Sequence, residues 1–361
     1  MFSLRTVSRI QGQYLLWSVV ALALTVVGPA DAHHGAAAHY NFDDLVEIEG
    51  VVTRVQFVNP HAVVHLEVAS PNGGLTPWRC EMSGATQLAR RGWTKDLLVA
   101  GHFVQIIGAR ARRETNACAM ESIVLADGRY VENDNNIEGI VVPETVASSN
   151  VIAKRPNYLD NGQPNISGPW VSQTGTTTGG EVTSGPPEPT PAGLTAAEHF
   201  DFRFDNPVIR CESGNIISDW YRQSHVNDIQ QSADYVQIRY GYLDLVRTIY
   251  LGGVTHPENL ALSVAGHSIG WWDGDVLEVD TVAMRATALH PRDETMISDG
   301  AHIQERFWYN KANQTLVRDY TVTDPLYLAK PFSGRNVSDI SARPYQPFDC
   351  VDLTGDNNRR Q

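Results

Sequence analysis

The sequence predicts a mainly β protein made of two barrels in tandem: a small Greek-key barrel of the OB-like kind over 33–131, then a larger antiparallel β-barrel over 166–352. Three observations predict it. Short runs with two-residue alternation of apolar and polar side chains recur through both regions, with Gly, Asn and Asp turn signals between them. A stretch rich in Asn, Pro, Gly, Ser and Thr separates the regions, with Thr176-Thr177-Thr178-Gly179-Gly180 and Pro186-Pro187-Glu188-Pro189 in it. Of the four cysteines, Cys80 and Cys118 fall in the first region and Cys211 and Cys350 in the second.

The chain opens with Arg5 and Arg9, an apolar run over 14–27, a Gly28-Pro29 break and the small-x-small triplet Ala30-Asp31-Ala32. This is the pattern of a cleaved secretory signal peptide, with cleavage expected after Ala32 and a periplasmic or secreted destination. The apolar run is shorter than the roughly 20 residues a membrane-spanning helix needs, so no stable membrane insertion is expected. In an oxidising compartment the cysteines are expected to pair, as Cys80–Cys118 and Cys211–Cys350. The net charge of −13 speaks against nucleic acid or an anionic membrane as a partner.

Within the first region, 45–58 reads as a strand broken by Asn59-Pro60. The next strand, 61–68, puts Ala62, Val64, Leu66 and Val68 on its core face and His61, Val63, His65 and Glu67 on the other. Asn72-Gly73-Gly74 turns the chain into a return strand over 77–82. Ser83 is a plausible N-cap for a short helix ended by Gly92. A strand over 103–108 and a hairpin over Asp127-Gly128 complete the set. Residues 132–165 are expected to be a linker, 172–198 an irregular insert in the second barrel, and 353–361 a disordered tail.

Cleavage after Ala32 makes His33 the first residue. Its α-amine and Nδ1 can close a chelate, and a second imidazole can complete a nitrogen-rich site suited to copper. Four residues of strand span about 13 Å, too far for His61 and His65 to share one ion. His61, leaving a loop fixed by Asn59-Pro60, is the better partner; His39 and His65 are weaker candidates. His33-His34-Gly35, Glu49-Gly50-Val51-Val52-Thr53-Arg54-Val55, Asn59-Pro60-His61, Trp78 and Arg91-Gly92-Trp93-Thr94 resemble a widespread family of small secreted bacterial proteins of unknown function. The resemblance marks these residues as a set and implies no activity.

In the second region, strands are expected over 166–171, 235–240, 246–251, 276–281, 302–309 and 315–322. Turns fall at Gly252-Gly253, Asp273-Gly274 and Lys311-Ala312-Asn313. Successive strands with few helical runs argue for an up-and-down barrel. Ser167-Gly168-Pro169-Trp170, His256-Pro257-Glu258, Gly266-His267-Ser268-Ile269-Gly270-Trp271-Trp272-Asp273-Gly274-Asp275, Val279-Asp280-Thr281 and His302-x-x-Glu305-Arg306-Phe307 resemble secreted lipocalin-like proteins, mostly uncharacterised. That resemblance implies a lipocalin-like barrel holding an apolar small molecule, with isomerase, cyclase or lyase chemistry in some members.

The leading functional expectation is a two-domain protein that binds an apolar or aromatic small molecule in the second barrel, with Trp271, Trp272, Arg247 and Tyr240 around it. The alternative is an isomerase or lyase needing no cofactor. Its acid/base groups would be His267, His302 and His256, with Tyr250 and Asp244 orienting them or stabilising charge. His302 and Glu305 fall on opposite faces of one strand and so do not form a dyad. A third expectation is copper binding at His33 with His61. The sequence contains no nucleotide-binding Gly-rich loop, no Gly-x-Ser-x-Gly elbow and no His-Glu-x-x-His.

Overall fold

The computed structural model describes residues 39–137, 147–148, 155–173, 181–222, 225–290 and 295–351. The expected signal segment, its cleavage point, His33 and the tail from 353 lie outside them. In the first module the elements are β1 (Tyr40–Gln56), β2 (Val63–Ala69), β3 (Leu75–Glu81), α1 (Ala85–Arg90), β4 (Phe103–Ala111), β5 (Ala117–Val124) and β6 (Tyr130–Glu132). Antiparallel pairs in the order β3-β2-β1-β4-β5, together with a parallel pairing of β3 with β5, close five strands into a small OB-like ring. Alternation does the work: Ile48, Val52, Val64, Leu66, Val104, Ile106 and Ile123 all turn inward and bury at 2% exposure or less. Cys80 and Cys118 sit directly opposite each other in the parallel pair and form the expected disulfide.

The expected Ser83 cap is corrected. Gly84 occupies the N-cap and makes no side-chain cap bond, while Ser83 receives a bond from Arg91 Nη1 at 3.0 Å and donates to Asp134. Glycine is required at 84 because a Cβ there would stand 2.4 Å from the Pro60 carbonyl oxygen. The close approach seats the helix start on the Asn59-Pro60 corner.

The second module contains β7 (Gly168–Ser172), β8 (Glu181–Val182), α2 (Pro191–Glu198), β9 (Val226–Gln231), β10 (Tyr235–Arg239), β11 (Val246–Tyr250), β12 (His267–Asp273), β13 (Val276–Val282), β14 (Thr287–His290), β15 (Thr295–Ile297), β16 (His302–Asn310), β17 (Thr315–Thr323) and β18 (Phe332–Ile340). Among the described residues, β7, β9 to β13 and β16 to β18 follow one another around a closed nine-strand barrel, with β18 returning to β7. β14 and β15 pair only with each other, and β8 adds to the edge of β18. Every step around the ring is antiparallel except β11 to β12, which is parallel. The wholly antiparallel barrel expected from sequence is corrected at that one step.

The interior of this barrel is filled by the protein itself. Residues 214–220 run through the core and are all buried. Ile216, Ile217 and Trp220 join the inward side chains of the strands in one apolar cluster. Asn215 shapes the segment: its Oδ1 accepts from the backbone of Ile217 and Ser218 at 2.9 and 2.8 Å, and its Nδ2 donates to the Ala288 carbonyl at 2.9 Å. Trp220 stands edge-on to Tyr240 and Phe307 at 5.9 and 5.6 Å.

Two irregular stretches expected from composition prove ordered in part. Within 172–198, β8 pairs with β18, and α2 begins on a Thr190 hydroxyl that accepts from Gly193 N at 3.1 Å. Residues 155–165 of the expected linker pack on the barrel. There Arg155 lies over the Tyr309 ring at 4.7 Å and donates to the Asn165 and Ser167 carbonyls at 2.6 and 2.9 Å.

Asn59 joins the modules. It is 6% exposed; its Nδ2 donates to Phe348 O at 2.7 Å and Thr86 Oγ1 at 3.0 Å, and its Oδ1 accepts from Thr86 N at 3.1 Å. Its carbonyl accepts from Val351 N at 2.7 Å. The C-terminal segment that meets Asn59 is anchored on the second module by the expected Cys211–Cys350 disulfide. Asn59→Ala strands the Thr86 amide and the Phe348 carbonyl in a buried contact, so stability to urea should fall by about 2 kcal/mol or more. Amide exchange at Val351 should speed up in the same variant, and unchanged exchange there would refute the latch.

Candidate functional site

Four side chains from separate elements meet on the outer wall of the second barrel. His267 is the first residue of β12 and His302 the first of β16, and Asp280 lies on the outward face of β13. The cross-strand register places Ile269 beside Asp280 and Asp280 beside Gln304, which sets His267 and His302 on the diagonals from Asp280, where His302 meets its carboxylate. His256 arrives from the connection between β11 and β12. That connection is held to the wall by Ser263, whose amide donates to Ala283 O at 3.1 Å and whose carbonyl accepts from Arg285 N at 2.8 Å. Gly266 ends it at φ +63, where a Cβ would meet Met284 Sδ and Val282 O at 2.7 Å, so the turn into His267 needs glycine.

His302 Nε2 contacts Asp280 Oδ1, and His256 Nε2 stands 3.5 Å from Asp280 Oδ2. His256 Nδ1 and His267 Nδ1 are 2.8 Å apart. The Tyr250 ring stacks on His267, with centroids 5.3 Å apart and planes at 19°. The Nδ1 contact requires one ring to donate and the other to accept, so the two histidines hold a single proton between those nitrogens. Burial, and then the charge of His256, push the His267 imidazole below its ordinary pKa. A carboxylate only accepts, so His302 gives Nε2–H to Asp280, and Nδ1 is the nitrogen that a neutral ring would offer as a base.

Of the expected catalytic set, His256, His267, His302 and Tyr250 therefore come together, and Asp244 does not. Asp244 accepts instead from Tyr345 Oη at 2.7 Å and Phe348 N at 2.8 Å, in the anchor of the C-terminal segment. The expected ligand-binding set also splits. Arg247 and Tyr240 turn into the core, at 1% and 0% exposure. Trp271 lies on the outer face, 51% exposed, and Trp272 is half-buried against the core cluster. Alternation along β12 forces this division, because adjacent residues of a strand face opposite sides. Glu305 and His302 likewise part: Glu305 is buried inside the barrel, where it accepts from Arg247 and Arg318.

Asp280 is the member of the cluster that the sequence motifs do not single out. Its signal was present in Leu277, Val279 and Thr281, which bury alternately and leave Glu278 and Asp280 on the outside.

In the first module His61 Nδ1 lies 3.2 Å from Glu81 Oε2. Burial would raise the Glu81 carboxyl, but hydrogen bonds from His61 and Tyr40 and the Arg79 charge hold it down at about 2. Desolvation opposes charge on His61, yet the Glu81 carboxylate raises its pKa above the ordinary value. His65 is engaged elsewhere, 2.7 Å from Gln56 Oε1. Among the described residues no group of three or more His, Cys, Asp or Glu side chains is arranged to hold a metal ion, and no helix is long and apolar enough to cross a membrane.

The model of DUF6152, a family of unknown function, matches residues 21–120, which takes in most of the first module. No curated protein and no solved structure matches the chain.

Proposed function

We propose that the protein is a periplasmic or secreted isomerase or lyase that moves a proton on an apolar or aromatic small molecule held against the outer wall of its second barrel. The observation that carries this reading is the contact of His256, His267 and His302 around Asp280. His302 Nδ1 takes a proton from a carbon acid, and the His256–His267 pair delivers one to the rearranged carbon or the leaving oxygen. Asp280 touches His302 and neighbours His256, which gives the proton a way back between turnovers.

The surface beside the cluster supports the ligand class. Tyr235 and Tyr250 are directly opposite each other on β10 and β11, and with Trp271 they expose 42 to 51% of their surface. The filled core supports the outer wall, rather than the interior, as the place of binding. The resemblance of this region to lipocalin-like secreted proteins supports an apolar ligand, and the two disulfides fit an oxidising compartment.

The test uses a small aromatic carbon acid, 2-tetralone, in D2O. Wild-type protein should speed deuterium incorporation by about 100-fold or more over buffer, and Asp280→Asn and His302→Asn should each lose most of that while melting normally. Equal rates in wild type and both variants would sink the reading. By NMR titration His267 should protonate below the ordinary histidine value of about 6.5. In His256→Asn its pKa should rise but stay depressed, because burial is the larger cause; an ordinary value in wild type would contradict the pairing.

A second reading, copper held by the amine and Nδ1 of His33 together with His61, is favoured by one observation: Glu81 neighbours both His61 and Tyr40. Copper titration of protein beginning at His33 should give at least about ten-fold tighter binding than a form with one residue added before it, since the extra residue removes the chelating amine. Equal affinity would eliminate the chelate.

A further inference from the structure

The first module carries a cleft that neither the His256–Asp280 cluster nor His61 lines. It measures about 450 Å³, within the span of small-molecule sites, and lies where β2 and β3 meet the turn that joins β4 to β5. Pro77 and Trp78 give it an apolar wall; His65, Arg79 and residues 113–116 of the turn give it a polar one. Both walls are fixed. The Arg79 amide donates to the Asn116 carbonyl at 3.0 Å, and the Cys80–Cys118 disulfide joins the same two strands one register step further on. The second module braces the turn as well, since the Arg113 guanidinium lies over the Phe204 ring at 5.0 Å.

The polar wall holds donors and acceptors in set directions. Arg79 gives Nε and Nη2 to the two Glu114 oxygens at 2.7 Å each and Nη1 to Glu81 at 3.1 Å, a planar fork that leaves further lone pairs on Glu114. Among the described residues, nothing in the chain bonds the Thr115 hydroxyl or the Asn116 side-chain amide. His65 hands its Nε2–H to Gln56 Oε1 at 2.7 Å. Burial, and then the Arg54 and Arg79 charges, hold that ring below its ordinary pKa, so it is neutral and keeps a lone pair on Nδ1. Charge is balanced, with Arg79 and Arg113 set against Glu81 and Glu114.

We propose that this cleft binds an uncharged sugar, with one ring edge against Trp78 and Pro77 and its hydroxyls on Asn116, Thr115 and Glu114. Each sugar hydroxyl both donates and accepts, which suits a wall where carboxylate and imidazole lone pairs adjoin amide and hydroxyl donors. An apolar ligand would leave those groups without partners. A charged ligand of either sign would meet as much repulsion as attraction from the balanced set. The cleft belongs to the other module from the His256–Asp280 cluster, so the proposal stands apart from the catalytic reading.

The test is an NMR titration of isotope-labelled, full-length mature protein with maltose, cellobiose, lactose, chitobiose and mannobiose, and with sodium gluconate as the anionic control. At least one sugar should saturate with a Kd of about 5 mM or tighter, moving the Trp78 indole and Asn116 side-chain signals, while gluconate moves neither. Asn116→Ala and Thr115→Ala remove groups that bond nothing in the chain. Both should therefore melt as the wild type does, and each should weaken that sugar by about three-fold or more. No shift at Trp78 and Asn116 with any of the sugars overturns the proposal, as does wild-type affinity in both variants, or gluconate binding as tightly as the best sugar. The rival occupant is the start of the mature chain, because His39 is tied to the same turn by Arg112 N at 2.9 Å. Contacts from residues 33–38 to the Trp78 indole that no sugar displaces would give the cleft to that segment and overturn the proposal too.

Discussion

A closed meander with an odd number of strands cannot alternate direction all the way round, and the second module obeys that constraint at one place. Among the described residues nine strands follow one another around the ring, so at least one neighbouring pair has to run parallel, and it is β11 with β12. An antiparallel neighbour can be reached by a tight turn, but a parallel one needs a connection long enough to return the chain to its starting end. Here that connection spans 251–266 and lies along the outer wall, where Ser263 pins it. His256 is carried on it. The parity of the barrel therefore creates the long segment that brings a third imidazole to His267 and Asp280, and the candidate site is a by-product of how the sheet closes.

The inside of the same barrel answers a different demand. Residues 214–220 occupy the space that a hollow barrel would offer a ligand, and the backbone they carry inward must be satisfied there. Asn215 does this with its own amide, and Arg318 does it at the Ile216 carbonyl. Inward polar side chains on β12, β13 and β18 then become intelligible: Ser268 and Thr281 receive Arg247, and Asn336 receives Arg318. Gly334 leaves room for the Tyr320 hydroxyl, which a Cβ would meet at 2.5 Å. The barrel is built around a segment whose apolar side chains join the core and whose backbone is satisfied by polar side chains.

How much of this the chain displays in advance depends on whether inward positions are apolar. β10, β13, β16 and β17 alternate clearly, and their positions were legible to within a residue or two. β18 is as regular a strand as any, yet its inward residues are Phe332, Gly334, Asn336, Ser338 and Ile340, so no apolar rhythm marks it. β9 and β12 were missed for related reasons: β9 puts Asn227 beside Ile229 on one face and Asp228 beside Val226 on the other, and β12 puts Ser268 and Gly270 inside. Both disulfides were legible because each pair lies within one region. Of the site, the histidines and Tyr250 could be picked out as chemistry-bearing residues, but their meeting around Asp280 depends on register across three strands and a pinned connection. Asp244, Arg247, Tyr240 and Trp272 stand apart from the cluster, because a turn residue's partners and a strand's inward side are tertiary facts.

Asn59 has a consequence in time as well as in space. It belongs to the first module to emerge from the ribosome or the export channel, but its partners Phe348 and Val351 are supplied nearly 300 residues later, 289 for the bond to Phe348. At synthesis rates of about 5 to 20 residues per second that interval is on the order of 15 to 60 s. During it the first barrel can close on its own disulfide, with the Asn59 amide held by Thr86 alone. The bond to Phe348 forms only when the second barrel has delivered its C-terminal segment. Asn59 reads, in effect, whether the second module has arrived.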